Sequence, residues 1–342
     1  MGHLPRFLKR GLLFLISLPF VWFAFVVIWG TVIPEKFRNN LIYSTGQGFM
    51  NLRMEEAELI EKIDVLIVGS SHAYRGIDPR RLIDKGIHAF NLGSSLQTPV
   101  QTQLLLRKYL RQMNPKLVVF EVGYKTFSSD GVEGAIDLMV NSPDLNWDIV
   151  RMAIELNDMT VYNSLAYTFF RKSILNETRQ EYLASHSDVD RYVPGGFVER
   201  KFLDYEGPTE FKDHVQPVNP LQQICFEETL RYLRTHNVKT ILVQTPILYG
   251  YYTSIQNIHE YDDYFRRVAS VDGYYNFSDS VYEETTYFYD HHHLNTTGVE
   301  RFNDDLINVL RPHLDPLTKH GERVTPPFAH PRDSRVALDD RQ

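Results

Sequence analysis

The chain has 342 residues, of which 43% are hydrophobic and 13% aromatic, enough to bury a full core. A net charge of −7 supplies no broad basic surface for a phosphate backbone, which argues against nucleic acid as a partner. The single cysteine, Cys225, excludes an internal disulfide framework and a multi-thiolate zinc site, and it reads as a buried structural thiol.

In chain order, the first element is the uncharged run from Gly11 to Pro34, "GLLFLISLPFVWFAFVVIWGTVIP". About twenty helical residues at 1.5 Å each cross a hydrocarbon core of roughly 30 Å, so residues 11–33 read as a transmembrane signal anchor. Pro19 is tolerable in a membrane helix, and Trp22 and Trp29 suit interfacial or lipid-facing positions. The alternative is a cleaved signal peptide, but no small-x-small cleavage site follows the run. Arg6, Lys9 and Arg10 precede the span, whereas Glu35 offsets Lys36 and Arg38 after it. The positive-inside rule then makes residues 1–10 cytoplasmic and places the remainder outside the cytoplasm, periplasmic or at the cell surface.

After a membrane-proximal linker at 34–59, short apolar runs alternate with amphipathic stretches. "IDVLIV" (63–68), "HAFNL" (88–92), "KLVVFEV" (116–122) and "TILVQT" (240–245) predict buried strands of a parallel sheet. "TPVQTQLLLRKYLRQM" (98–113) predicts a helix with a threonine cap and proline at its first position, and "NPLQQICFEETLRYLRTH" (219–236) repeats that pattern. Strand–helix alternation predicts an open α/β sheet with its site at the carboxyl ends of the strands. A stretch at about 126–218 interrupts the rhythm, partly helical and partly irregular around "YVPGGFVERKF", and suits a lid or partner surface. The proline-rich, charged segment 316–342 reads as a disordered tail.

Chemistry gathers at two places. "DVLIVGSSHAYRGIDP" carries a strand into Gly69, Ser70, Ser71 and His72, so a serine hydroxyl can face the crevice at the strand's end, although such turns often only cap a helix. "YDHHHLNTTG" (289–298) sets Asp290 three residues ahead of His293. Three adjacent histidines project in different directions and converge poorly on one ion, so no metal is expected and the alternatives are a solvated loop or an acid–base pair. Arg75 and Lys125 either meet an anionic substrate or are solvated.

These segments, together with "NLGSS" after the second strand, resemble the SGNH/GDSL hydrolase superfamily over roughly residues 60–312. The resemblance implies a flavodoxin-like, three-layer α/β/α open sheet over 60–315. It implies Ser71 as nucleophile, Asp290 as orienting acid, His293 as base, and the N–H groups of Ser71 and Gly93 as the oxyanion hole. His72, Tyr124 and Lys125 become candidate pocket residues. No cofactor is implied. The superfamily's third block would read like Gly-x-Asn-Asp, whereas this chain has "FEVGYKTF" without an asparagine. The Gly-Ser-Ser turn, the anchor and the altered third block resemble the membrane-tethered branch that includes the D-alanine transfer protein and alginate O-acetylation proteins. That branch implies an esterase or O-acyltransferase acting on an acylated cell-envelope polysaccharide or small acyl ester. The alternative is a catalytically inactive binding or accessory protein of the same fold that partners a membrane-bound acyltransferase, which the missing asparagine favours and the retained Ser71, Asp290 and His293 disfavour.

Overall fold

A computed structural model describes residues 3–43, 47–177, 189–201, 203–268, 271–278, 282 and 285–314. The tail expected at 316–342 lies outside the described residues. Helix α1 (His3–Val32) contains Pro19 and is followed, after short 3-10 turns, by α2 (Met50–Ala57). The chain then runs β1 (Val65–Val68), α3 (Ser71–Gly76), α4 (Pro79–Ile83), β2 (Ala89–Asn91), α5 (Pro99–Met113) and β3 (Leu117–Glu121). Next come α6 (Tyr124–Ser128), α7 (Val132–Asn141), α8 (Trp147–Leu156), α9 (Met159–Phe169), β4 (Asp190–Val193) and β5 (Phe197–Arg200). The last part holds α10 (Pro220–Thr235), β6 (Lys239–Gln244), α11 (Tyr249–Thr253), α12 (Ile258–Arg267), β7 (Gly273–Asn276) and α13 (Thr296–Leu314).

Five strands form one parallel sheet in the order β2-β1-β3-β6-β7, which is the flavodoxin-like order once the β4–β5 hairpin is set aside. Val65 to Val68 are completely buried because helices cover both faces. Each such side chain contributes roughly 1.5–3 kcal/mol on burial. One apolar cluster packs α5 and α10 onto one face; a second packs α13 and α4 onto the other.

Local signals explain the element starts. At α5, Gln101 Oε1 accepts the Thr98 N–H at 2.8 Å across the expected threonine cap, and Pro99 opens the helix. Asn219 caps α10 by accepting the Leu221 N–H at 3.0 Å. Cys225 is buried, and burial pushes its thiol up to about 11, an inert structural position.

Two expectations need correction. The stretch around "YVPGGFVERKF" is not irregular: β4 and β5 pair antiparallel across Pro194, Gly195 and Gly196. That turn docks on the free edge of β2, where the Asn91 N–H donates to Gly195 O at 2.8 Å and Arg53 Nε donates to Gly196 O at 2.9 Å. The sheet also has a fifth strand, β7, beyond the four expected, because "GYYN" carries no apolar run and is only half-buried.

The two ends of the site-bearing chain are joined by one buried side chain. Asn303 on α13 donates to Gly76 O at 2.8 Å and accepts the Asp78 N–H at 2.9 Å.

Candidate active site

The sheet's switch point lies between β1 and β3, and β1 leaves it through Gly69. Its φ of +144° and a position where a Cβ would fall 2.6 Å from the Glu121 Cβ restrict this residue to glycine. Ser70 caps α3, its Oγ accepting the His72 N–H at 3.3 Å, so Ser71 becomes the first residue of the helix and presents its hydroxyl at the strand's end. Asn91, buried at the end of β2, donates to Ala73 O (2.8 Å) and Ile77 O (3.0 Å) and thereby holds α3 against the sheet.

The Asp290–His293 loop is clasped by a bridge between Phe288 and Leu294, with the Tyr289 N–H donating to His293 O at 3.1 Å. Asp290 Oδ1 accepts the N–H groups of His292 (2.9 Å) and His293 (2.8 Å). Its other oxygen lies 2.8 Å from His293 Nδ1, and His293 Nε2 lies 2.8 Å from Ser71 Oγ. Burial alone would raise Asp290, but the hydrogen bond and charge of His293 hold it well below the usual carboxylate range. An ionised carboxylate can only accept, so Nδ1 carries the proton and Nε2 is left to accept from the serine. Burial lowers the pKa of His293, opposed by the Asp290 hydrogen bond.

A second network lies behind the turn. Glu121, at the end of β3, accepts both the N–H and the hydroxyl of Ser70 through Oε2, each at 2.8 Å. With Glu121 ionised, the Ser70 hydroxyl proton is committed to it, so His72 Nδ1 donates to Ser70 Oγ at 3.2 Å. Burial pushes Glu121 up to about 7, against its Ser70 hydrogen bonds. Burial, reinforced by positive charge at His293 and Lys125, lowers His72 to about 3.

A cavity of about 320 Å³ opens over Ser71 and is lined by His72, Lys125, Tyr289, Asp290 and His293 among others. The structure therefore brings together Ser71, Asp290, His293, His72 and Lys125. Burial lowers the Lys125 pKa, partly offset by Asp290, and its ammonium lies 5.6 Å from the centre of the Tyr251 ring. Tyr124 is buried beneath this wall, only 2% exposed. The Gly93 N–H donates to Asn91 Oδ1 at 3.0 Å, so its proton is already engaged beside the turn. Arg75 is not a free cation: it pairs with Asp190 through two hydrogen bonds of 2.9 and 3.0 Å.

Sequence reasoning missed three contributors. Tyr289 stacks nearly parallel on His293, ring centroids 5.4 Å apart, and Arg200 lies over Tyr289 at 4.6 Å. Asp190, in the hairpin, orients both Arg200 and Arg75. Nothing local marks Arg200 and Asp190, which reach the site only because the hairpin docks, whereas Tyr289 stands next to Asp290 in the chain. One ring nitrogen from each of His72, His292 and His293 lies within 4.8 Å of the others, a grouping the run of adjacent histidines did not foretell. Both ring nitrogens of His293 are engaged, so a cation there would have to displace Ser71 or Asp290.

No protein-family model matches the chain, and no curated protein matches it. Among solved structures, a protein assigned as an acylhydrolase from Bacteroides fragilis NCTC 9343 is similar at 12% identity and a TM-score of 0.39, over 79% of this chain and 100% of its own. A protein assigned to the G-D-S-L lipolytic family from Desulfitobacterium hafniense DCB-2 overlaps at 11% identity and 0.38, over 72% and 99% of the two chains. An acetyl xylan esterase from Butyrivibrio proteoclasticus overlaps at 10% identity and 0.32, over 75% and 64%. Overlaps this loose assign no residue a role, and the functional reading stands on the chain's own topology and hydrogen bonds.

Proposed function

We propose that this chain is a membrane-anchored, extracytoplasmic serine esterase or O-acyltransferase of SGNH type that acts on acyl esters, with Ser71, His293 and Asp290 as its triad. The observation that carries the reading is the unbroken chain Ser71 Oγ, His293 Nε2, His293 Nδ1, Asp290 Oδ2, with 2.8 Å at both links. In this mechanism Ser71 Oγ attacks the ester carbonyl while its proton moves to His293 Nε2, and Asp290 stabilises the resulting imidazolium. Collapse of the tetrahedral intermediate breaks the bond to the leaving alcohol, which takes the proton from His293 and leaves an acyl-serine. Water or a sugar hydroxyl then gives its proton to His293 as it attacks the acyl-serine, and collapse of that second tetrahedral intermediate breaks the bond to Ser71 Oγ, which takes the proton back from His293. The Ser71 N–H, first amide of α3, needs no helical partner and would serve as an oxyanion donor; such a donor is worth about 3–4 kcal/mol.

A polysaccharide acceptor is supported by the adjoining cavity of about 400 Å³, which shares Arg75, Arg200 and Tyr289 with the Ser71 cavity and adds Asn295 and Thr296. Its four arginines pair with Asp190, Asp78, Glu199 and Glu300, so it offers hydrogen-bond donors without net positive charge. Such a surface suits hydroxyl-rich groups better than free anions. The second reading, a non-catalytic accessory protein partnering a membrane-bound acyltransferase, is favoured by the engaged Gly93 N–H and by the third block without asparagine.

Fluorophosphonate labelling of the full-length chain in detergent separates the two. The parent and Ser70→Ala become labelled, and Ser71→Ala does not while keeping its melting temperature. An unlabelled, folded parent favours the accessory reading, and labelling that follows Ser70 instead would move the nucleophile by one residue.

A further inference from the structure

Helix α1 does not stand clear of the folded domain. Its Val26 is 3% exposed and packs with Leu41, Ala166 and Tyr167. Trp22 Nε1 donates to Asn163 Oδ1 on α9 at 3.0 Å, and the Phe23 and Phe169 rings meet edge-on at 6.3 Å. At Gly30 the two helices approach so closely that a Cβ would lie 2.4 Å from the Tyr167 ring.

Length says where this contact falls. The stretch of α1 long and apolar enough to cross a membrane, Phe7–Val32, has 26 residues, with Lys9 and Arg10 in its first turn. At 1.5 Å per residue it is about 39 Å long, against roughly 30 Å for a hydrocarbon core and 40–45 Å with both interfaces. A span starting at Phe7 therefore carries Trp22 about 22 Å along, in the outer half of the core, and Trp29 about 33 Å along, in the outer interface, where tryptophans are favoured. Helix α9 packs against this outer half, from Trp22 to Gly30.

Helix α9 has the chemistry for the place. From Met159 to Phe170, "MTVYNSLAYTFF", there is no charged residue, and charge resumes at Arg171 and Lys172. Met159 is 58% and Phe169 47% exposed. Four polar side chains between them are hydrogen-bonded within the protein, as a water-poor surrounding demands. Asn163 Nδ2 donates to Asn40 O, Ser164 Oγ accepts the Ile42 N–H, Thr168 Oγ1 donates to Ser164 O and Tyr162 Oη donates to Asn157 Oδ1, all at 2.7–3.1 Å.

We propose that α9 is a second membrane-contacting element, lying at the outer interface against α1 with Met159 and Phe169 in the acyl boundary. The domain is then seated on the bilayer by two helices and does not hang from a free tether. This rests on reading α1 as a membrane span.

The test places nitroxide labels on the full-length chain, one per variant, in a Cys225→Ala background reconstituted into phosphatidylcholine–phosphatidylglycerol vesicles. Met159→Cys and Phe169→Cys are compared with Phe14→Cys in α1 and Ile224→Cys on α10, all solvent-facing in the isolated chain and therefore tolerant of substitution. Labels at 159 and 169 should lose collisions with a water-soluble nickel reagent and gain collisions with oxygen relative to Ile224. If they match Ile224 while Phe14 is inserted, the inference fails, the anchor stands, and the exposed face belongs to a protein partner. If Phe14 also matches Ile224, the anchor reading falls and takes this inference with it.

Discussion

Two carboxylates flank the turn that carries Ser71, one in front and one behind, and their surroundings drive them in opposite directions. Asp290 faces His293 and two backbone N–H groups and is held ionised. Glu121 lies 1% exposed behind Ser70 with only neutral donors on it, and burial pushes it up to about 7. Pairs of acids whose environments separate their pKa values take different roles. In the proposed mechanism the front acid orients a base, and the rear acid holds the Ser70 backbone beside the nucleophile.

The comparison breaks most sharply at the front. Asp290→Asn replaces the acceptor that fixes the His293 tautomer, a change that costs about 10⁴-fold in kcat in the triad of a serine protease. Labelling or ester turnover should fall by that order with little change in melting temperature. Turnover equal to the parent's would remove Asp290 from the mechanism.

At the rear, Glu121→Gln keeps the shape and an acceptor for Ser70 but removes the ionisation. The folded pKa of about 7 exceeds the ordinary value of 4.5, so the folded state holds an extra proton between them. That stability is fully present below about 4.5 and is lost as pH rises to about 7, at most about 3 kcal/mol. Melting of the parent should weaken more between pH 5 and pH 8 than melting of Glu121→Gln, and labelling should fall far less than in Asp290→Asn. Parallel pH dependences in the two proteins would show that Glu121 titrates normally.

The smallest expected effect concerns His293. Burial lowers its pKa, so the neutral base persists to lower pH, and the labelling rate should reach half its plateau below about 6.5. In Asp290→Asn the imidazolium loses its partner and the midpoint should move lower still. A midpoint above 6.5 in the parent would contradict the burial argument.

The front of the site was legible because each of its parts is local. A buried strand ending in Gly-Ser-Ser and an Asp-x-x-His loop before a helix can both be read within a dozen residues. Strands β1, β2, β3 and β6 were legible for the same reason, as apolar runs between turn residues. The rear was not: nothing in "FEVGYKTF" gives Glu121 a role, because its partner Ser70 is 51 residues away. The hairpin escaped because Pro194-Gly195-Gly196 reads as loop, and only docking on the β2 edge makes its flanks pair. The break between α8 and α9 did leave a local trace, since Asn157 is left-handed at φ +48° and Asp158 caps the next helix.

The buried Asn303 side chain also governs timing. Ser71 lies in the first quarter of the chain and His293 222 residues later, and the helix bearing the serine is held to α13 by that amide and by apolar packing of Ala73 with Phe302. Contacts of such separation form only after the intervening chain has been made and collapsed. A chain emerging N-terminus first cannot complete the Ser71–His293 hydrogen bond until residues 290–293 have been made, so in the proposed mechanism Ser71 lacks its base for most of synthesis.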